Sequence, residues 1–145
     1  MAKTSTYLSF PGNTEEVFNF YKSVFGTEFT GDGFQKFGDM PATEGQPPMS
    51  DADKKLILHV GLPILGGHIL MATDAPESMG FTVIAGNNVH INLEPDSREE
   101  TTRLFEALSE GGNITMPLQD MFWGAFYGSC TDKYGTNWMV NFTQN

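Results

Sequence analysis

One pattern restricts the fold of this chain more than any other: the order strand, helix, strand, strand, strand occurs twice in 145 residues. In the first half, Leu8 and Phe10 flank Ser9 and the run stops at Pro11-Gly12, as a short strand does. Asn13 and Glu16 have capping-box spacing, and Val17, Phe20, Tyr21, Val24 and Phe25 recur at helical intervals before Gly26, so a helix is expected over Asn13–Phe25. Phe29–Phe37 reads as a twisted strand, and Lys55–Leu62 and His68–Ala72 as a hairpin turning through Pro63–Gly67. After a loop with a possible extended piece at Phe81–Ile84, the order repeats. Val89–Leu93 alternates, Asp96 or Ser97 caps a helix ending at Glu110, and Ile114–Leu118, Gly124–Cys130 and Asn137–Phe142 supply three strands.

The spacings support a duplication. Thr6 and Val89 lie 83 residues apart, as do Asn13 and Asp96, whereas Met71 and Met139 are only 68 apart because the first half holds a Pro-rich flap from Gly38 to Asp53. The expected fold is α+β, one domain over 1–145 made of two βαβββ modules, about 1–74 and about 88–145. Each module needs its helix to cover one sheet face, which leaves the other face for a pocket.

Eight Lys and Arg against eighteen Asp and Glu give a net charge of −10. Such a chain has no basic stripe for phosphates, so nucleic acid and membrane are not expected partners. Cys130 is the only cysteine, which excludes an intrachain disulfide and a cysteine-based metal cluster. Met1–Phe10 carries one cation and a short alternating run, unlike a signal peptide or a spanning segment. A cytoplasmic location is the expectation.

Several blocks carry a family resemblance: Tyr7-Leu-Ser-Phe-x-Gly12, Phe20-Tyr21-x-x-x-Phe25-Gly26, His59, Gly66-Gly67-x-Ile-Leu-Met71-x-x-Asp74, and Asp120-x-x-Trp123-Gly124-x-x-Tyr127-Gly128-x-x-x-Asp132-x-x-Gly135-x-x-Trp138. Together they resemble the PhnB-like branch of the glyoxalase/bleomycin-resistance/dioxygenase superfamily over nearly the whole chain. That resemblance implies an eight-stranded, U-shaped mixed sheet around a cavity, usually within a homodimer. It also implies a place for a metal, because the superfamily's metal enzymes set one His or Glu on the first and last strand of each module. Aligning strand ends and glycines puts those positions at Thr6, Met71, Val89 and Met139, none a usual ligand for a hard divalent ion. A register slip of one residue would bring in His90 instead of Val89. No metal and no other cofactor is therefore expected.

His59 matches a position that the family tends to keep as His. With Asp74, the matching carboxylate, it is the candidate acid/base pair, while a turn-capping role is the structural alternative for Asp74. His68 and His90 read as ordinary strand residues. Trp123 and Tyr127 have polar tips that suit a cavity wall or a dimer seam, whereas Phe126 and Trp138 suit the core. Cys130 reads as a buried, inert thiol. The expected ligand pocket comprises Thr6, His59, Met71, Val89, Trp123, Tyr127 and Met139, closed on one side by the Gly38–Asp53 flap.

These residues point to a metal-independent protein that binds an unidentified small molecule. Labels in the group also point to phosphonate metabolism and to demethylubiquinone methyl transfer. The chain has no glycine-rich nucleotide loop in a doubly wound pattern to seat a methyl donor. Sequestration of a cationic drug in an acidic crevice is the alternative, and a metal-dependent lyase or dioxygenase is disfavoured by the ligand positions.

Overall fold

The computed structural model describes residues 1–41 and 44–144. The chain is α+β and divides into two compact units, Met1–Val83 and Ile84–Asn145. Each unit contains one four-stranded mixed sheet, and the expected βαβββ order is present in both.

Unit one runs β1 (Thr6–Phe10), α1 (Thr14–Phe25), β2 (Gln35–Lys36), α2 (Asp51–Lys54), β3 (Ile57–Pro63) and β4 (Ile69–Asp74). The sheet order is β1-β4-β3-β2, with β1 parallel to β4 and the other neighbours antiparallel. α1 buries Val17, Phe18, Tyr21 and Val24, and the Phe18 ring meets Phe10 edge-on at 6.5 Å. On the sheet, Val60, Leu62, Leu70 and Ala72 are fully buried. These side chains form the core between sheet and helix.

Two expectations for this unit need correction. The Phe29–Phe37 strand shrinks to Gln35–Lys36. Gly31 and Gly33 take φ of 54° and 80°, and the Gly33 N–H donates to the Thr30 carbonyl at 3.1 Å, so the segment turns before it can pair. The Asn13–Glu16 capping box is also absent: Asn13 occupies the cap position without a side-chain bond to the helix. The Thr14 N–H instead donates to Asp74 Oδ1 at 3.0 Å.

Unit two runs β5 (Ile91–Leu93), α3 (Arg98–Ser109), β6 (Asn113–Asp120), β7 (Ala125–Thr131) and β8 (Asn137–Thr143). Its sheet order, β5-β8-β7-β6, repeats that of unit one, including the parallel pair β5 and β8. Ser97 is the cap of α3, its Oγ accepting the Glu100 N–H at 3.0 Å. Thr101, Leu104, Phe105 and Leu108 are buried on this helix, and Phe105 lies against Gly128 of β7. β5 is shorter than expected, because Val89 and His90 precede it, and Phe81–Ile84 forms no strand.

Asp132 organises the β7–β8 turn. Its Oδ1 accepts the Tyr134 and Thr136 N–H groups at 2.9 and 3.1 Å, and its Oδ2 accepts Trp138 Nε1–H at 2.9 Å. Trp138 is fully buried, and this bond satisfies its indole N–H within the core. Among the described residues, no helix is long and apolar enough to cross a membrane.

Candidate functional site

Strand alternation sorts each sheet into a face turned toward its helix and a face turned away. In unit one, Tyr7 pairs with Met71 and Met71 with Gly61, which puts all three on the face away from α1. His59 lies two residues before Gly61, and its ring is 6.0 Å from that of Tyr7, tilted by 32°. An imidazole, a phenol and a thioether therefore share this face. Tyr7 is 53% exposed, while His59 and Met71 are half-buried.

Thr30 walls the same face. The Thr30 N–H donates to the Gly61 carbonyl at 2.9 Å, and a Cβ at Gly61 would stand 2.5 Å from Thr30 Oγ1. Only glycine permits this approach without movement, so Gly61 sets how closely the 27–33 segment sits against the strand.

Of the expected pocket residues in this unit, His59 and Met71 come together, but Thr6 does not join them. Thr6 pairs with Leu70, whose side chain points into the core, and its Oγ1 lies 2.9 Å from His68 Nε2. The true neighbour of Met71 is Tyr7. Asp74 is 2% exposed, with Oδ1 accepting the Thr14 N–H and Oδ2 the Ile57 N–H at 2.8 Å. Its carboxylate holds the start of α1 and the start of β3 to the end of β4. Of the expected flap, residues 38–41 and 44–53 are described, and Gly38, Met40, Pro41 and Gln46 to Met49 line a cleft with Phe37 and Lys54; residues 42 and 43 lie outside the described residues.

In unit two, Tyr127 pairs with Asn141, Ser129 with Met139, and Asn92 with Met139. Tyr127 and Met139 thus share the face away from α3, together with Asn92. Val89 lies outside the sheet, 70% exposed, with its carbonyl accepting from Asn137 Nδ2 at 3.2 Å. Trp123 sits at the tip of the β6–β7 hairpin, 57% exposed and edge-on to Phe122 at 4.9 Å. The base of that hairpin is pinned by Arg98, which binds both Asp120 carboxylate oxygens at 2.7 and 2.8 Å and lies 3.8 Å above the Phe126 ring. The hydrogen-bonded guanidinium holds the Asp120 carboxyl below its ordinary range.

The register bears directly on the metal that the superfamily implies. On the faces turned away from the helices, the first and last strands carry Tyr7 with Met71 in one unit and Asn92 with Met139 in the other. Neither pair taken by itself, a phenol with a thioether or a carboxamide with a thioether, offers the carboxylate or imidazole ligands that suit a hard divalent ion. Among the described residues, no three His, Cys, Asp or Glu side chains are grouped so as to hold a metal together. The superfamily's ligand pattern is not reproduced.

Sequence reasoning missed Tyr7 and Asn92. The signal was the alternation itself: if Leu8 and Phe10 face the core, Tyr7 and Ser9 face away, and if Ile91 and Leu93 face the core, so does Asn92 face away.

Comparison with known proteins identifies the family. The model of the glyoxalase/bleomycin resistance protein/dioxygenase superfamily matches residues 5–140. The chain is 32% identical to protein YjdN of Escherichia coli K12, over 94% of this chain and 92% of that one. It is similar to the crystal structure of protein PA1353 from Pseudomonas aeruginosa, with 35% identity, a TM-score of 0.82 and full coverage of both chains. The PhnB protein from Bacillus cereus is 26% identical, with a TM-score of 0.73, over 98% of this chain and 100% of that one. On the repeated βαβββ order and these matches, the chain belongs to the glyoxalase/bleomycin resistance protein/dioxygenase superfamily, in its PhnB-like branch.

Proposed function

We propose that this protein is a cytoplasmic, metal-independent binder of a small molecule, taken up against the face that carries Tyr7, His59 and Met71. The observation that supports this reading is the 6.0 Å ring pair of Tyr7 and His59 beside Met71, on a sheet face turned away from the helix. A thioether adapts to an apolar body, and the imidazole and phenol supply one donor and one acceptor apiece for orienting polar groups. The donor chemistry of the strand-end positions favours binding without a resident metal.

Thermal-shift screening against phosphonates, quinone-like aromatics and glycopeptide drugs tests the reading, since a ligand of the native state raises its apparent stability. It is supported by a hit whose shift shrinks in His59→Gln, and overturned if hits ignore both His59 and Tyr7. Metal analysis of the purified protein tests the other half: stoichiometric Ni, Fe, Mn or Zn overturns metal independence.

We also propose that the protein is a homodimer. Ile114, Met116, Phe122 and Trp123 are exposed in unit two, along the β6 edge and its hairpin tip, a surface suited to a second copy. Pro117 and two register breaks interrupt β6, which favours side-chain packing over strand-to-strand pairing. Light scattering at micromolar concentration should report twice 16.0 kDa; a monomer mass overturns the proposal.

A further inference from the structure

The loop before α2 builds a cleft of its own. Phe37, Met40, Pro47, Pro48 and Met49 form apolar walls around about 460 Å³, with Lys54 at the rim. That volume is in the range of small-molecule sites. Phe37 and Met49 are the half-buried members, so they form the floor.

The walls are anchored. The Phe37 N–H donates to the Leu56 carbonyl at 3.0 Å, and the Met40 N–H to the Phe37 carbonyl at 3.1 Å. Ser50 Oγ accepts the Asp53 N–H at 3.1 Å, and Ser78 Oγ–H donates to Asp53 Oδ1 at 2.9 Å. A Cβ at Gly38 would lie 2.9 Å from the Lys54 carbonyl oxygen, so the two sides of the cleft meet backbone against backbone.

We propose that this cleft binds a small amphiphilic anion, an apolar aromatic or aliphatic body bearing one negative group, with Lys54 as its counter-charge. Among the described residues, Lys54 is the one charged side chain in the lining, and it makes no ion pair. The acidic residues of α2, Asp51 and Asp53, do not line the cleft, and Asp53 is held by Ser78. In a chain of net charge −10, a cation set against Met, Phe and Pro selects the sign of the ligand locally. The two methionines adapt to bodies of different shape. The cleft shares no lining residue with the Tyr7–His59–Met71 face, so this inference goes beyond the function proposed above and stands or falls separately.

The test uses two fluorescent probes, 1-anilinonaphthalene-8-sulfonate and the uncharged N-phenyl-1-naphthylamine, titrated into the full chain with near-ultraviolet circular dichroism as the check of native packing. The sulfonate should bind saturably at one site. Lys54→Gln should weaken it roughly fivefold, as expected for a partly exposed ion pair, and Lys3→Gln, which removes the same charge from the N-terminal segment, should not. The uncharged probe should ignore Lys54→Gln, while Met49→Ser should weaken both probes. Sulfonate binding that is equal in Lys54→Gln and Lys3→Gln overturns the anion assignment. Binding of either probe that ignores Met49→Ser, or no saturable binding at all, overturns the site.

Discussion

Asp74 holds the first turn of α1 from 60 residues away, its Oδ1 accepting the Thr14 N–H at 3.0 Å while its Oδ2 accepts the Ile57 N–H at 2.8 Å. The first N–H groups of a helix have no partner within it, and a carboxylate there also meets the positive end of the helix dipole. Asp74 performs the task that Asn13, at the cap position itself, leaves undone. Its burial makes the arrangement costly to break.

Asp74→Ala should therefore destabilise the protein by about 3 kcal/mol, because two backbone donors lose a charged acceptor in a buried place. Asp74→Asn keeps one acceptor oxygen and should cost less. Urea denaturation measures both. A loss below about 0.5 kcal/mol for the alanine variant would mean that water replaces the carboxylate, and the structural role would be withdrawn.

The two strand histidines of unit one should behave differently. His59 faces Tyr7 on the side away from α1, whereas His68 bonds Thr6 at the edge of the core. For a ligand found by thermal-shift screening, His59→Gln should weaken binding by roughly tenfold, about 1.4 kcal/mol, and His68→Gln should leave it unchanged. Isothermal titration decides. Equal effects of the two substitutions would place the ligand elsewhere.

Cys130 offers a pH test. Burial first, and then the negative charge of Asp132, push its thiol from an ordinary 9.0 up to about 11. The folded state keeps the proton where the unfolded chain has lost it, so this contribution to stability is complete below pH 9 and fades as pH rises toward 11. Comparison of urea midpoints for the native chain and Cys130→Ala across pH 8 to about 11 should show a steeper decline for the native chain. Alkylation by iodoacetamide at neutral pH should be slow until urea is added; rapid labelling of the native protein would contradict the buried thiol.

Gly61 and Thr30 should couple. Gly61→Ala drives a methyl group into Thr30 Oγ1 and should cost about 2 kcal/mol, read as a lowered midpoint of thermal unfolding. Thr30→Ala in the same chain should recover most of that loss, since it removes the colliding oxygen. Additive losses would show that the two residues do not meet.

The two main helices, most of the strands and their repeated order are legible in the amino-acid pattern alone. Helix and strand periodicities are local, so Val17, Tyr21 and Val24, or Leu104, Phe105 and Leu108, announce which side of each helix is buried without knowledge of the partner. The duplication was legible for the same reason, and so were the core strands around Leu70 and Val140. Phe29–Phe37 failed as a strand because glycines at positive φ override a hydrophobic pattern that would suit pairing.

Register across the parallel pairs was decided only in the tertiary structure. Whether Thr6 or Tyr7 stands beside Met71 depends on how β1 meets β4, strands separated by more than 50 residues, and a shift of one residue exchanges the two faces. Aligning strand ends favoured Thr6 and Val89; the sheets place Tyr7 and Asn92 beside the methionines. The same holds for Asp74, whose short-range pattern marks a turn but whose carboxylate serves a helix in another part of the chain. Local preferences specify which surfaces must be buried, and the non-local pairing that buries them selects the side chains left together on the other face.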